Sequence, residues 1–335
     1  MERYSRQILF KHIGKKGQKR LSQKHVFILG CGALGSANAE NLVRAGIGKL
    51  TIADRDYVEL SNLHRQQLYT EKDVAEQMPK AIAAMQKLQE INGSVEIDAH
   101  VADVSPNMLS SMLETADLVI DATDNFDARL MLNDICHQRK IPWIFGSCAG
   151  STGMTFTVLP GETPCLQCLL DSVPVSGATC DSVGVIVSAV QMVVAHQTAE
   201  ALKILVEDYD HLRTRFVAFD VWNNMYQQWN VKRAKKDSCP TCGNHPVYPA
   251  LKAAGETKTE ILCGRNTVQI RSKKHLNLDL LAERLQEMGK VIKNEYLLSV
   301  EYESYRLVFF QDGRTLIHGT DSVEKAKSIY HQVAG

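Results

Sequence analysis

The sequence of 335 residues lacks an excess of charge of either sign and lacks a long apolar run. Lys plus Arg and Asp plus Glu number 38 each, so no net field would recruit nucleic acid or an anionic membrane. The longest mostly apolar stretch, Val185 to Ala195, contains Gln191 and falls short of the ~20 residues that cross a bilayer. The N-terminus also lacks the apolar core of a signal peptide. We therefore expect a cytoplasmic protein whose partners include neither nucleic acid nor membrane.

Cysteine is too frequent, and odd in number, for a complete set of disulfides. The chain has nine cysteines, and cytosolic thiols are kept reduced. Metal binding or catalysis is therefore the expected use of these side chains.

In the first half of the chain, short apolar runs alternate with segments of helical spacing. The first run enters a glycine turn and a helix, and later runs are followed by further helical segments. The apolar runs are His25 to Gly30, Leu50 to Asp54, Leu118 to Asp121 and Trp143 to Gly146. This alternation predicts a Rossmann-like, doubly wound and mainly parallel sheet.

The pattern changes after Gly153. The strand-like segments Met154 to Val158, Phe216 to Phe219 and Tyr226 to Val231 predict an antiparallel extension of the sheet, and Gly184 to Leu205 predicts one long helix. A segment with Pro246, Pro249 and Gly255 then resembles a linker. We expect one large domain over residues 1–245, a linker over 246–259, and a small C-terminal α+β appendage over 260–335 with a hairpin turning at Asp312-Gly313.

The glycine turn suggests a nucleotide site. Gly30, Gly32 and Gly35 permit a tight turn, close approach of phosphate to backbone N–H groups, and close packing of helix on strand. Asp54 ends the next strand, at the distance of ~20 residues downstream where an acidic residue receives ribose hydroxyls. The alternative is a turn that is merely tight.

Two cations and a carboxylate follow this unit. Arg65 and Lys80 suit a triphosphate, because they would neutralise oxygens as pyrophosphate leaves; elsewhere either would more often be a solvated surface charge. Asp124 follows the apolar strand that ends at Asp121, at the sheet edge where ligands bind, and is a candidate for holding Mg²⁺. Alternatively this segment caps the next helix, and Asn125 suits that role.

Two CxxC pairs predict a metal site. Cys165 and Cys168 form one pair, and Cys239 and Cys242 form the other. Each pair places two thiolates on a tight turn, so together they would complete a tetrahedral four-cysteine site for Zn²⁺ with no open position. A redox CxxC is the alternative, but two copies would be redundant.

These motifs occur in one order along the chain, and together they closely resemble the ThiF/MoeB adenylyltransferases, relatives of the ubiquitin-activating enzyme. The resemblance covers about residues 1–245 and includes both CxxC pairs. The other motifs are Arg3-Tyr-Ser-Arg6-Gln7, Gly30-Cys-Gly-Ala-Leu-Gly35, Asp54-x-Asp56, Ser61-Asn62-Leu63-x-Arg65-Gln66, Pro79-Lys80 and Thr123-Asp124-Asn125.

The resemblance implies an enzyme that uses ATP and Mg²⁺ to adenylylate the C-terminal glycine of a small ubiquitin-like sulfur-carrier protein. The carrier would be ThiS-like, for thiamine thiazole synthesis, or MoaD-like, for molybdopterin synthesis. The implied ATP-binding residues are Gly30, Gly32, Gly35, Asp54, Asp56, Asn62, Arg65, Gln66, Lys80, Asp124 and Asn125. Among them Arg65, Lys80 and Asp124 would act on phosphates and Mg²⁺. Arg6 would reach the ATP site of the partner subunit in a homodimer.

A cysteine in a crossover loop is a further implied site residue. Cys180 matches its position and could act as a nucleophile or in sulfur transfer; the alternative is an inert thiol. Residues 260–335 are too short for the sulfurtransferase domain that some relatives append, so a separate donor such as a cysteine desulfurase would supply sulfur. The lysine motif also departs from the family pattern, because no glycine precedes Pro79 closely.

Two other functions fit parts of the pattern. An NAD-dependent dehydrogenase would explain the glycine turn and Asp54, but it leaves Arg65, Lys80 and the cysteine pairs without a purpose. A non-catalytic scaffold stapled by zinc is disfavoured by the retained Arg6 and Asp124, together with the two cations.

Overall fold

A computed structural model describes residues 2–170, 183–253, 260–262, 266–272 and 275–334. The chain divides into two compact units, one of residues 1–75 and 79–254, the other of residues 76–78 and 255–335. Each unit has its own sheet and apolar core. The division of the chain at a linker over 246–259 stays a prediction, and the short helix Pro249–Ala253 lies in that segment.

The first unit contains an eight-stranded sheet. Its strands are β1 (His25–Leu29), β2 (Lys49–Asp54), β3 (Glu96–Val101), β4 (Leu118–Asp121), β5 (Trp143–Ala149), β6 (Thr152–Val158), β7 (Arg215–Asp220) and β8 (Met225–Asn230). The order is β3-β2-β1-β4-β5-β6-β7-β8. Pairing is parallel from β3 to β5 and antiparallel from β5 to β8. The predicted doubly wound, mainly parallel sheet with an antiparallel extension is confirmed.

Helices connect these strands. They are α1 (Ser5–Leu9), α2 (Gly14–Leu21), α3 (Ala33–Ala45), α4 (Glu71–Ala75), α5 (Lys80–Ile91), α6 (Pro106–Met112), α7 (Phe126–Arg139), α8 (Leu166–Leu170), α9 (Val187–Val206) and α10 (Pro249–Ala253). The left-handed Gly46, at φ 82°, ends α3, as glycine commonly does at this position. Within the residues described, no helix is both long and apolar enough to span a membrane.

The strand order places a ligand crevice beside β1. The chain leaves β1 toward β2 on one side and later returns to β4 on the other. All five residues of β1 are buried, as expected for a central parallel strand with both faces covered. Open sheets of this kind bind ligands outside the carboxyl ends of the strands where the order reverses. The residues just after β1, β2 and β4 therefore border the expected ligand crevice.

The second unit is built on a six-stranded antiparallel sheet in the order β11-β12-β13-β14-β10-β9. Its elements are β9 (Glu260–Leu262), β10 (Thr267–Arg271), α11 (Leu278–Leu285), β11 (Val291–Lys293), β12 (Leu297–Tyr302), β13 (Tyr305–Phe310), β14 (Arg314–His318) and α12 (Val323–Ala334). The predicted hairpin is present, with Gly313 at φ 86° in its turn. The expectation of a small α+β fold is confirmed.

Candidate active site

The glycine turn follows β1 and is packed too closely for side chains. Gly30 has φ 90°, and a Cβ there would lie 2.6 Å from the Ala122 carbonyl oxygen just after β4. A Cβ on Gly35 would lie 1.9 Å from the carbonyl oxygen of Gly30. At Gly32 the nearest atom to an added methyl group would be Gln66 Nε2, 3.6 Å away. Gly30 and Gly35 therefore permit the packing, whereas Gly32 leaves space beside the backbone.

Asp54, the last residue of β2, joins the glycine turn to the next loop. Its carboxylate accepts hydrogen bonds from the backbone N–H of Cys31 and, at 2.7 Å, from that of Asp56. Burial raises the pKa of Asp54, while the nearby Lys80 cation opposes this shift. The carboxylate is thus held at the carboxyl end of the sheet, where the sequence predicts it to receive a ribose.

Lys80 is a buried cation at the start of α5. It is 3% exposed, and its Nζ lies 3.3 Å from an Asp56 carboxylate oxygen. Its backbone N–H donates to the Asp56 carbonyl at 2.9 Å, and Tyr57 bridges to Pro79. Lys and Asp are almost never buried unless paired. The structure therefore brings two predicted site residues together and fixes the lysine from both sides.

A short turn carries the next three predicted residues. Asn62 is buried, and its Oδ1 accepts from the Glu59 backbone N–H in a capping box. Gln66 is 3% exposed, faces the glycine turn, and has an Oε1 with no hydrogen-bond partner. The Arg65 guanidinium donates to the Ser61 carbonyl at 2.9 Å, within the same turn. A buried, unpaired amide oxygen calls for a donor, and a bound ligand could supply one.

Asp124 and Asn125 lie just beyond β4. Asn125 caps α7, because its Oδ1 accepts from the backbone N–H groups of Asp127 at 2.8 Å and Ala128 at 3.2 Å. Capping is the role that the sequence left open for this residue. Asp124 is exposed at the same sheet edge as the glycine turn, so its carboxylate can be reached by an ion from solvent.

Sequence reasoning missed a buried ion pair beneath this edge. Asp121 is fully buried and lies 3.1 Å from Arg129 Nε on α7. Burial raises the pKa of Asp121, and the guanidinium of Arg129 opposes that shift. Arg129 also donates to the Thr123 carbonyl at 2.6 Å, which holds the backbone next to Asp124. The available signal in the sequence was an acidic residue at the end of a strand, Asp121, followed eight residues later by a basic residue in the next helix, Arg129.

The N-terminal segment is attached to the rest of its unit by the residues around Arg6. Gln7 donates to the Ala45 carbonyl at 2.9 Å, and Arg3 donates to the Ile91 carbonyl at 2.8 Å. Tyr4 packs against Gly46. Arg6 is exposed on α1. Within the residues that the structure describes, Arg6 is therefore not brought to the glycine turn of its own chain.

The four cysteines of the CxxC pairs converge on one point. Their Sγ atoms all lie within 4.8 Å of one another, and the Cys165–Cys239 and Cys168–Cys242 Sγ distances are both 3.5 Å. A tetrahedral zinc site with Zn–S bonds of ~2.3 Å has Sγ–Sγ edges of about 3.8 Å. The hydrogen bond between Cys165 and Cys242 lowers the pKa of Cys242 and raises that of Cys165, as expected for thiols packed closely enough to share protons. The cluster therefore fits a four-cysteine zinc site in distance and donor type. Cys180 lies outside the described residues.

Comparison with known proteins matches most of the chain to one family. The model of the ThiF family matches residues 4–241. The chain is 48% identical, over 99% of both chains, to the sulfur carrier protein ThiS adenylyltransferase of Bacillus subtilis. It is 35% identical to the sulfur carrier protein adenylyltransferase of Thermus thermophilus, over 75% of this chain and 94% of that one.

Solved structures agree at the level of the fold. The structure of E. coli MccB with MccA-N7isoASN superposes with a TM-score of 0.64 at 21% identity, covering 72% of this chain and 75% of that one. The family match spans the glycine turn, the cationic residues and three of the four cluster cysteines. From the order of these motifs, their geometry and the likeness to these relatives, the chain belongs to the ThiF family.

Proposed function

We propose that this protein is an adenylyltransferase that uses ATP to activate the C-terminal glycine carboxylate of a ThiS-like sulfur-carrier protein. The observation that carries the proposal is the buried Lys80, held by Asp56 beside a glycine turn with open backbone at Gly32. A dehydrogenase has no need of a buried cation at this position. The identity of 48% to a relative named for ThiS, along 99% of the chain, supports the choice of carrier.

In the reaction, a carboxylate oxygen of the carrier attacks the α-phosphorus of ATP. A bond forms between that oxygen and the α-phosphorus, the bond from the α-phosphorus to the bridging oxygen breaks, and pyrophosphate leaves with the electron pair. No general base is required, because a C-terminal carboxyl with a pKa of ~3.5 is already ionised near pH 7. Catalysis is therefore mainly positioning and stabilisation of charge.

The site residues divide this work. The glycine turn receives phosphate oxygens, and Asp54 receives the ribose. Lys80 and Arg65 stabilise the departing pyrophosphate. Gln66 supplies an acceptor whose buried oxygen is otherwise unpaired, and Asn62 keeps the turn that carries these residues closed. Asn125 supports the edge by capping α7.

The exposed Asp124 fits Mg²⁺, since the ion prefers carboxylate oxygens and is usually bound by one or two carboxylates together with substrate phosphates. When bound, Mg²⁺ would neutralise phosphate charge. The chain's own contribution is to hold the Asp124 backbone in place through Arg129 and the cap of α7.

Zinc would be structural. Cys165, Cys168, Cys239 and Cys242 would hold it with four thiolates, which leave no position for substrate. The ion would join the segment after β6 to the segment after β8. It would stabilise the folded chain rather than take part in adenylyl transfer.

We propose that the active form is a homodimer in which Arg6 acts on the ATP bound by the partner subunit. Leu9 is 73% exposed and Phe10 is 57% exposed on the same segment as Arg6. Large apolar side chains exposed together mark interaction surfaces. A second copy of the chain would cover them and would bring Arg6 to the site that it does not reach within its own chain.

Cys180 would serve sulfur transfer after adenylation, with a separate donor such as a cysteine desulfurase in the cytoplasm. Cys180→Ala should keep carrier-dependent exchange of pyrophosphate into ATP within a few-fold of wild type, because no phosphate contact is removed. A covalent adduct of carrier and enzyme should form with wild type in the presence of carrier, ATP and a sulfur donor, and should be missing from the variant by mass spectrometry. Loss of exchange in a folded Cys180→Ala enzyme would contradict this assignment.

Exchange of labelled pyrophosphate into ATP tests the proposed function. We expect exchange with a purified ThiS-like carrier and much less with a MoaD-like carrier or with a carrier that lacks its terminal glycine. Lys80→Ala should lose at least about a hundredfold, the scale of removing a group that stabilises transition-state charge. Lys49→Ala, at the opposite end of β2 on an exposed pair with Glu96, is the control and should keep activity. Two results would contradict the proposal. One is pyrophosphate exchange in the absence of any carrier, and the other is a lack of exchange with both the ThiS-like and the MoaD-like carrier.

A further inference from the structure

A second group of potential metal ligands lies apart from the cysteine cluster. His12, between α1 and α2, and His211, after α9, both direct Nδ1 at the carboxylate of Asp208. The His12 Nδ1 to Asp208 Oδ2 distance is 3.3 Å, and the His211 Nδ1 to Asp208 Oδ1 distance is 2.6 Å. The two imidazole rings meet edge to face, with centroids 4.5 Å apart. Three donor atoms from two distant segments therefore lie within 4.8 Å of one another.

The backbone around these donors is fixed by contacts that do not use the donor side chains. Arg20 on α2 donates to the Val206 carbonyl at 2.6 Å, at the end of α9. A Cβ on Gly17 would lie 3.2 Å from a Val206 methyl, so α2 and α9 are in close contact. The Asp208 N–H donates to the Lys203 carbonyl at 2.8 Å. The donors thus stand on two segments whose separation is already set.

The chemistry of the donors favours a divalent ion of borderline softness. Two imidazoles and one carboxylate form a common three-ligand set for such ions, with remaining positions for water. In a tetrahedral site with bonds of ~2.0–2.1 Å, donor atoms are about 3.3 Å apart. One of the two distances has this length already, and the other requires a small rotation of the exposed His211 side chain.

The charge and protonation of the three side chains are compatible with a divalent cation. An aspartate carboxyl, with an ordinary pKa of ~3.9, is ionised near pH 7, so Asp208 can serve as an anionic ligand. Coordination through Nδ1 requires the ring proton of each histidine to reside on Nε2. Both side chains are partly exposed, 32% for His12 and 57% for His211, so the Nε2–H group of each ring can donate a hydrogen bond to water.

We propose that His12, Asp208 and His211 form a second, exchangeable Zn²⁺ site on this protein, distinct from the cysteine cluster. The ion ties the connection between α1 and α2 to the end of α9. Because His12 lies three residues after Leu9, the end of α1, occupancy restrains the N-terminal segment that carries Arg6. The effect on catalysis through Arg6 rests on the proposed function. The binding of the ion does not depend on that function.

Cobalt titration of tag-free full-length protein tests the site. The cysteine cluster bound to Co²⁺ should give intense thiolate-to-metal absorption, whereas a site of two imidazoles and one carboxylate gives only weak visible bands. We expect a second equivalent of Co²⁺ or Zn²⁺ per chain that binds without changing the thiolate band and that EDTA removes first. Hydrogen exchange of residues 2–13 should slow when this equivalent binds.

Variants assign the second equivalent. His211→Ala and Asp208→Asn should each lose it while keeping the thiolate-bound ion and the fold, and His12→Ala should weaken it by at least about tenfold. His100→Ala is the matched control, because His100 pairs with Asp98 at 3.0 Å and belongs to no three-ligand group among the residues described. A single equivalent in wild type, or a second one that survives His211→Ala and Asp208→Asn, would overturn the proposal.

Discussion

Gly32 and Gly35 lie three residues apart, yet the structure gives them different tasks. Gly35 is required by packing, because a Cβ would lie 1.9 Å from a backbone oxygen. Gly32 has no close backbone neighbour, because an added methyl group would meet only Gln66 at 3.6 Å. The open position is the one next to which a phosphate can approach.

Substitution by alanine should separate these two tasks. Gly35→Ala should destabilise the fold by ~1–3 kcal/mol or more, the cost of overpacking against backbone that cannot yield. Gly32→Ala, which creates no backbone clash, should lose less stability than Gly35→Ala but bind ATP at least about tenfold more weakly, which is ~1.4 kcal/mol. Thermal unfolding and calorimetric titration with ATP measure both effects. A Gly32→Ala protein with normal ATP affinity would place the phosphates elsewhere.

His25 offers a residue-level test of pH dependence. It begins β1, is 6% exposed, and its two ring nitrogens meet Thr51 and Thr115 hydroxyls at 2.8 and 2.9 Å. Burial lowers its pKa below the usual 6.5. The unfolded chain therefore takes up a proton more readily than the folded chain. The stability that His25 contributes is present above pH ~6.5 and is lost as pH falls toward the folded-state pKa.

Urea unfolding of wild type and His25→Gln between pH 8 and pH 5.5 measures this effect. Glutamine keeps hydrogen-bonding capacity but cannot ionise in this range. We expect wild type to be the more stable protein at pH 8 and its advantage to shrink steadily below pH ~6.5. A difference between the two proteins that does not change with pH would show that His25 is not held neutral.

At the scale of elements, the cysteine cluster should connect the segment after β6 to the segment after β8. Cys239→Ser should lose zinc and lower thermal stability, because an ion that binds only the folded chain adds its binding free energy to stability. Cys148→Ser, on β5 and outside the cluster, is the control and should keep one ion per chain in the cluster. Metal analysis and thermal unfolding of both variants are the measurements. An unchanged zinc content in Cys239→Ser would show that the cluster does not bind the ion.

The elements that sequence reasoning found are those whose signals are local. β1 is a fully buried run, the glycine turn has a fixed spacing, and each CxxC pair is complete within four residues. β3 was missed, since it pairs with β2 alone and its burial pattern is mixed. β12 was missed as well, although four of its six residues are buried.

In the candidate site, too, the residues with a local sequence signal were predicted, whereas their tertiary contacts were not. Asp54 and Lys80 were predicted from motifs, but their contacts, through Cys31 and Asp56, depend on how β2 and α5 meet the glycine turn. The Asp121–Arg129 pair joins a strand to a helix, and nothing in its local sequence demands it. A pair of this kind becomes visible only when tertiary packing buries the carboxylate.

At the scale of the whole molecule, the proposed homodimer makes a prediction about mixtures. Arg6→Ala and Asp124→Ala chains should each be nearly inactive alone. Mixed dimers should regain activity, because one of their two sites combines an intact Asp124 with an intact Arg6 from the other chain. Pyrophosphate exchange after verified subunit mixing is the measurement.

The matched control for this mixture is Asp124→Ala with Lys80→Ala. Both substitutions affect residues that one chain contributes to its own site, so no mixed dimer contains an intact set. Recovery in this second mixture, or none in the first, would count against action of Arg6 in trans.

The position of the cysteine pairs also changes what a broken chain would do. Coordinate bonds from one ion to Cys168 and Cys239 would close a ring of polypeptide that includes α9, β7 and β8. A cut at Asn223, in the exposed turn between β7 and β8, would open this ring without releasing either fragment. Under native conditions the ion would help to hold the two fragments together, so a chelator should promote their separation, and the metal would connect the two parts of the chain only while they are folded.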